Sequence, residues 1–186
     1  MDDKLLSQMT LTMQLYQQAF SSKVYVTEND DLDLLMSAFG ITPELKRENR
    51  QYWGRELGMC WQRIVTLVAE SRCADYSPPI KVGADEPIDL FIGNDAIDTK
   101  YRIGSGDSGT LKKFKTYGKW IQEQGKQPVI LIMREDNLNA AIQACKVGGW
   151  SVKIGDECYD YIQEKTGFDI KAFLASQKNQ FTLTRG

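Results

Sequence analysis

Apolar positions along the chain change their spacing several times, and each change marks a different element. Leu5, Met9, Met13, Tyr16 and Phe20 recur three or four residues apart, which predicts an amphipathic helix. Lys23 to Thr27 is short and β-prone. Asp31 to Phe39 reads as a helix closed by Gly40, and Pro43 suits the first turn of another. The longest helical signal runs from Gln51 to Arg72, with Trp53, Leu57, Cys60, Trp61, Ile64, Leu67 and Val68 on one broad stripe. Ser77-Pro78-Pro79 then breaks the chain, and Ile80 to Val82 reads as an edge strand.

Two short apolar runs follow, Leu90-Phe91-Ile92 and Ala96-Ile97, joined by Gly93-Asn94-Asp95. They predict a β-hairpin. A two-residue Asn94-Asp95 turn pairs Phe91 with Asp98 and Asp89 with Lys100, so that Asp89, Asp98 and Lys100 leave one face. A three-residue loop without a bulge sends Asp89 to the other face instead. Beyond a glycine-rich run, Leu111, Phe114, Tyr117, Trp120 and Ile121 mark an amphipathic helix ended by Gly125. Val129 to Met133 is continuously apolar, as in a strand covered on both faces. A helix capped by Asp136 runs through Cys145 to Gly148-Gly149, Trp150 to Ile154 is a further strand, and Asp156 to Lys165 and Phe168 to Ser176 are helices. This order predicts an α/β fold with a mixed central β-sheet flanked by helices. It fits a single domain over residues 1–186, with a helical N-terminal extension (1–50), a core (51–155) and C-terminal helices (156–186).

Composition narrows the chemistry more than the class. The 186 residues are 42% apolar and 26% charged, an ordinary balance for a globular protein. No apolar run is long enough to span a membrane and no signal-peptide pattern opens the chain, so a cytoplasmic protein without a membrane partner is expected. There is no histidine, which excludes Ser-His-Asp and Cys-His nucleophiles, His-dependent zinc sites and histidine general bases. Cys60, Cys73, Cys145 and Cys158 lack metal-ligand spacing and read as free thiols. A hydrolytic site in this chain is built from Asp, Glu and Lys or does not exist.

Asp89, Asp98 and Lys100 supply that set. Mg²⁺ prefers oxygen ligands and usually takes one or two protein carboxylates besides water and substrate phosphate. Lys100 is then placed to orient a water or to stabilise charge on phosphoryl oxygens. The plain alternative is a charged hairpin edge that discourages strand pairing. Spacing alone favours the edge, and the local charge reads equally as a set of phosphate contacts or as a solvated helix face. From Lys100 to Lys119 there are six basic residues (Lys100, Arg102, Lys112, Lys113, Lys115, Lys119) against one acid, Asp107, although the net charge of the chain is −2. Arg102, Lys112, Lys113 and Lys115 are candidate contacts to a DNA backbone.

Pro87-Ile88-Asp89, then Asp98-Thr99-Lys100, resembles the PD-(D/E)xK nuclease motif. The continuation through Tyr101, the glycine-rich segment and the helix ending Trp120-Ile121-Gln122-Glu123 is similar to cleavage domains of type IIS restriction endonucleases. In length and order the chain resembles the small catalytic subunit of a heterodimeric type IIS enzyme. That resemblance implies a restriction-endonuclease-like fold and a Mg²⁺-dependent endonuclease, with Mn²⁺ as a substitute. It implies double-stranded DNA as substrate and a larger, sequence-recognising nicking subunit as partner. Asp89 and Asp98 would bind metal and Lys100 would act on water and phosphate. Glu56, on the helix before the sheet, would add a metal contact, with Glu70 as the alternative. A junction-resolvase-like homodimeric nuclease, or a non-catalytic subunit with a decayed site, remain the rival readings.

Overall fold

The computed structural model describes residues 12–18, 27–81, 86–104, 106 and 108–183. Residues 12–18 are helical and belong to helix α1. The β-prone stretch from residue 23 to 26 lies outside the described residues. Short helices α2 (Leu34–Phe39) and α3 (Pro43–Glu48) lead to the long α4 (Arg50–Arg72). Strands β1 (Tyr76–Ser77), β2 (Leu90–Ile92) and β3 (Asp95–Lys100) follow, then α5 (Ser108–Glu123), β4 (Gln127–Ile132), α6 (Asn139–Val147) and β5 (Ser151–Ile154). Helices α7 (Asp156–Thr166) and α8 (Ile170–Ser176) complete the order.

The five strands lie side by side in chain order. β1, β2 and β3 are antiparallel, whereas β3, β4 and β5 are parallel, so the sheet is mixed as expected. Parallel neighbours need crossovers, which α5 and α6 provide. Alternation along the strands divides the core. Leu90, Ile92, Ile97, Val129 and Leu131 pack with Trp61 and residues of α2, α4, α7 and α8. Phe91, Ala96, Ile130 and Ile132 pack on the opposite face with α5, α6 and Trp150. β4 is therefore covered on both sides, and its continuous apolar run follows.

Three expectations are corrected. The hairpin turn is Gly93-Asn94, not Asn94-Asp95, because Ile92 pairs with Asp95. Gly93 takes the positive φ (57°) required at the first central position of the turn. Asp95 is held in the strand by the Tyr161 hydroxyl and the Lys165 ammonium of α7, both at 2.7 Å. The register moves by two residues, so side-chain faces keep their parity. The edge strand is Tyr76–Ser77, which ends before Pro78 and Pro79, residues without an N–H for the ladder; Ile80 and Lys81 are in no strand, and Val82 lies outside the described residues. Asp136 does not cap α6, whose N-cap is Leu138. It is drawn instead into a buried ion network.

That network fastens the N-terminal helices to the ends of β3 and β4. Arg134 is 5% exposed and donates to Asp33 Oδ2 at 2.9 Å, to Asp136 Oδ1 at 2.9 Å and to the Asp31 carbonyl at 2.9 Å. The Tyr101 hydroxyl donates to Asp33 and accepts from Lys46 Nζ at 2.7 Å. Lys46 also pairs with Glu28. Burial pushes the Asp136 carboxyl up, but hydrogen bonds from Arg134 and the Asn29 N–H outweigh it and hold the group below the usual carboxylate range.

Elsewhere α5 and α6 meet backbone to backbone. A Cβ at Gly118 would stand 2.2 Å from the Gly148 carbonyl oxygen and 2.5 Å from the Trp150 indole nitrogen. Gly118→Ala is expected to cost about 1–3 kcal/mol in urea unfolding. Arg134→Met, which leaves two buried carboxylates short of a cation, is expected to cost about 3–5 kcal/mol at pH 7. The Asp136 contribution is fully present above its unfolded pKa of about 4 and lost as pH falls through the lower native value. The stability gap between wild type and Arg134→Met should therefore narrow below about pH 4.

Candidate active site

At the end of β3, successive residues are gripped from different directions. Asp98 and Lys100 share the parity of Ala96 and face α5, where they line a cavity of about 210 Å³. Glu86, Pro87, Thr110, Lys113, Tyr117 and Trp150 form much of its remaining wall. Lys100 Nζ lies 2.5 Å from Asp98 Oδ1 and 3.2 Å from the Thr99 carbonyl oxygen. The Asp98 side chain is 7% exposed and that of Lys100 is 36% exposed, so the pair runs from the core to the cavity mouth.

Asp89 joins this pair from the plane of the sheet. Its N–H still bonds the Ile97 carbonyl at 2.8 Å, but its side chain replaces the next rung of the ladder. Oδ2 accepts the Thr99 N–H at 2.7 Å and the Thr99 hydroxyl at 2.6 Å. Oδ1 accepts from Gln62 Nε2 of α4 at 2.8 Å. The three charges are thus neighbours, though they do not simply project from one flat face. Burial raises the Asp98 carboxyl to about 6, the nearby Asp89 carboxylate adds to the rise, and the Lys100 ammonium opposes it. Burial also works against the Lys100 ammonium, but Asp98 and Asp89 prevail and hold it above its ordinary value.

Other expected residues fall elsewhere. Glu56 is not brought to this group: its carboxylate is 46% exposed and pairs with the adjacent Arg55 at 2.9 Å. The carboxylates lie opposite the middle of α4, so the side chain that reaches them is Gln62, about 9 Å further along the helix axis. Glu70 is exposed near the other end of α4. Arg102 is not open to a DNA backbone, because its side chain is 13% exposed and paired with Asp136 at 3.0 Å. Lys112, Lys113 and Lys115 are exposed on α5, and Lys113 also lines the cavity. The four cysteines are free thiols. Cys145 is buried close enough to feel Asp98 and Lys100, and burial, with Asp98 second, pushes its thiol up to about 12. Gln62 escapes sequence reasoning because an amide on a mixed helical flank carries no chemical signature. The amphipathic pattern does place it beside Trp61, whose side chain is fully buried.

A divalent cation suits this donor set. Two oxygen ligands of one charge type are within reach, and no histidine or thiolate competes with them. Among the described residues no three carboxylates or thiols converge as an all-protein cage. Mg²⁺ does not need one, since it keeps several waters and substrate oxygens.

A mixed sheet flanked by helices, with an Asp-x-Lys pair on the strand after a tight hairpin and a second carboxylate in the strand gap, defines a restriction-endonuclease-like protein. The chain belongs to the ApaLI-like restriction endonuclease family, whose sequence model matches residues 81–179, just over half of its length. It is accordingly a DNA endonuclease. The search of curated proteins finds no match, and neither does that of solved structures. Among the described residues no helix is long and apolar enough to cross a membrane.

The hydrogen-bonding pattern separates the two α4 residues by experiment. Gln62→Leu should lower DNA cleavage at least tenfold, because the Asp89 carboxylate loses one of its orienting donors. Glu56→Gln should stay within about twofold of wild type in the same assay, as expected for an exposed pair worth under about 1 kcal/mol.

Proposed function

We propose that this chain is the Mg²⁺-dependent cleavage subunit of a heterodimeric type IIS restriction endonuclease. It hydrolyses one phosphodiester in one strand, while a larger subunit recognises the sequence and nicks the other. The observation that carries the reading is the Asp98–Lys100 pair, which opens into a cavity beside Asp89.

Asp89 and Asp98 are the residues that would hold the cation, with Mn²⁺ as a substitute. Such a cation, when bound, supplies Lewis acidity toward a phosphoryl oxygen and lowers the pKa of water. Lys100 is fixed by Asp98 on one side and the Thr99 carbonyl on the other, so its ammonium orients the attacking water and stabilises charge on the phosphoryl oxygens. Gln62 and Thr99 hold Asp89 in place. Lys113 presents a second positive charge at the cavity wall, and Lys112 and Lys115 extend it along α5 toward the DNA backbone. Partnership draws on the resemblance and on exposed apolar residues of α1 and α4, including Met13, Tyr16, Met59 and Leu67, which offer area for a second protein.

The test is plasmid cleavage in Mg²⁺ buffer with the host nicking subunit present or absent. Wild type should convert the partner's nicks into double-strand breaks, and EDTA should abolish the conversion. Asp98→Asn and Lys100→Met should each lower it by about 10²–10³-fold or more. Equal activity of wild type and Asp98→Asn would remove the site assignment. Unaided cutting of branched DNA would replace the heterodimer with a resolvase-like enzyme.

A further inference from the structure

The cavity that holds Asp98 and Lys100 is not alone on the α5 face. A second cavity of about 420 Å³ lies beside it, lined by Ser77, Ile80, Ile88, Phe91, Trp120 and Gln124, with Ile121 at its base and Lys126 at its rim. Both cavities border the same apolar cluster and share one wall. Thr110, Lys113, Phe114 and Tyr117 of α5 line the first, and Trp120, Ile121 and Gln124 line the second. These are consecutive positions on one helix face. Across the groove the pre-hairpin segment does the same, with Glu86 and Pro87 at the first cavity and Ile88 at the second.

We propose that the second cavity is a nucleobase pocket, which takes one unstacked base of the strand whose phosphate occupies the first. This inference rests on the nuclease reading above and adds a contact to it. The lining suits a base: Phe91 and Trp120 offer aromatic surface, while Ser77, Gln124 and Lys126 offer hydrogen-bonding groups for its edge. Lys126 Nζ is held 3.1 Å from the Gly93 carbonyl oxygen and 5.7 Å from the centre of the Phe91 ring, which fixes a positive charge at the rim. Among the described residues that line it there is no carboxylate. From Lys113 to Ile121 the helix advances about 12 Å, the span of about three stacked nucleotides. The base is therefore placed about three nucleotides from the cleaved bond.

The experiment measures binding of the full chain, with the nicking subunit, to labelled duplexes carrying the recognition site in Ca²⁺ buffer, which suppresses cleavage. A single abasic nucleotide is stepped through five positions on each side of the cleaved bond on the strand this chain cuts. Wild type, Trp120→Ala and Lys113→Ala are compared. Stacking on an aromatic ring predicts that Trp120→Ala weakens binding to intact DNA by roughly tenfold. One abasic position should weaken wild type by a similar factor and leave Trp120→Ala unchanged. Lys113→Ala should weaken binding at every position alike. If Lys113→Ala weakens binding but no abasic position couples to Trp120→Ala, the pocket inference is overturned and the nuclease reading stands. The pocket inference is likewise overturned if Trp120→Ala acts only by weakening association with the nicking subunit, for the cavity then anchors a protein side chain. If neither substitution alters DNA binding, the α5 groove is not a DNA surface and both readings of it fail.

Discussion

One carboxylate standing in for a backbone carbonyl sets the geometry on which the site depends. Where β2 and β3 part, the Thr99 N–H would face a gap, and a buried amide without an acceptor is costly. Asp89 fills that gap with Oδ2 and is itself steadied by the Thr99 hydroxyl and by Gln62 from α4. The hydrogen bond that ends the ladder therefore also fixes a negative charge beside Asp98. One carboxylate thus completes the sheet and adds a charge to the candidate site.

From this point each residue of β3 and its extension answers to a different element. Asp98 and Lys100 look toward α5, and Thr99 toward Asp89. Tyr101 reaches Asp33 and Lys46, and Arg102 reaches Asp136. Five consecutive side chains are thus tied to the opposite helical layer, the preceding strand, the N-terminal helices and the loop after β4. The buried ions around Arg134 are compensated pairwise, which a low-dielectric interior demands. They make residues 27–48 part of the same body as strand β3.

Much of this was legible in the residues. The change from helical spacing to a tight apolar hairpin, then to a continuous apolar run between helices, led to a mixed central sheet, while the side-by-side order of its strands comes from the structure. Asp98 and Lys100 were legible because a period of two puts them on one face whatever the exact turn. Details decided by tertiary contact were not. Nothing local tells that Asp95 belongs to β3 rather than the turn, since Tyr161 and Lys165 decide it from more than 60 residues away. Leu67 lies on the apolar stripe read for α4 yet is 63% exposed, because the helix turns Leu57, Trp61, Val65 and Ala69 inward. Arg102 looked like a DNA contact because sequence shows charge but not the Asp136 that neutralises it. Glu56 and Gln62 show the same limit: wheel position is readable, but the height at which a helix meets a strand is not.

The cavity beside the Asp-x-Lys pair draws its wall from residue 86 through residue 150, and Trp150 locks onto the Phe114 carbonyl at 2.8 Å. During synthesis on the ribosome, both acids and the lysine are present once residue 100 has been added. The compartment around them closes only after the crossovers through α5 and α6 have been made and docked. A chain released early thus carries the acidic and basic groups without the walls that surround them in the fold. For an enzyme that cuts DNA, this order of assembly withholds the enclosed Asp98–Lys100 cavity until the chain has grown past residue 150.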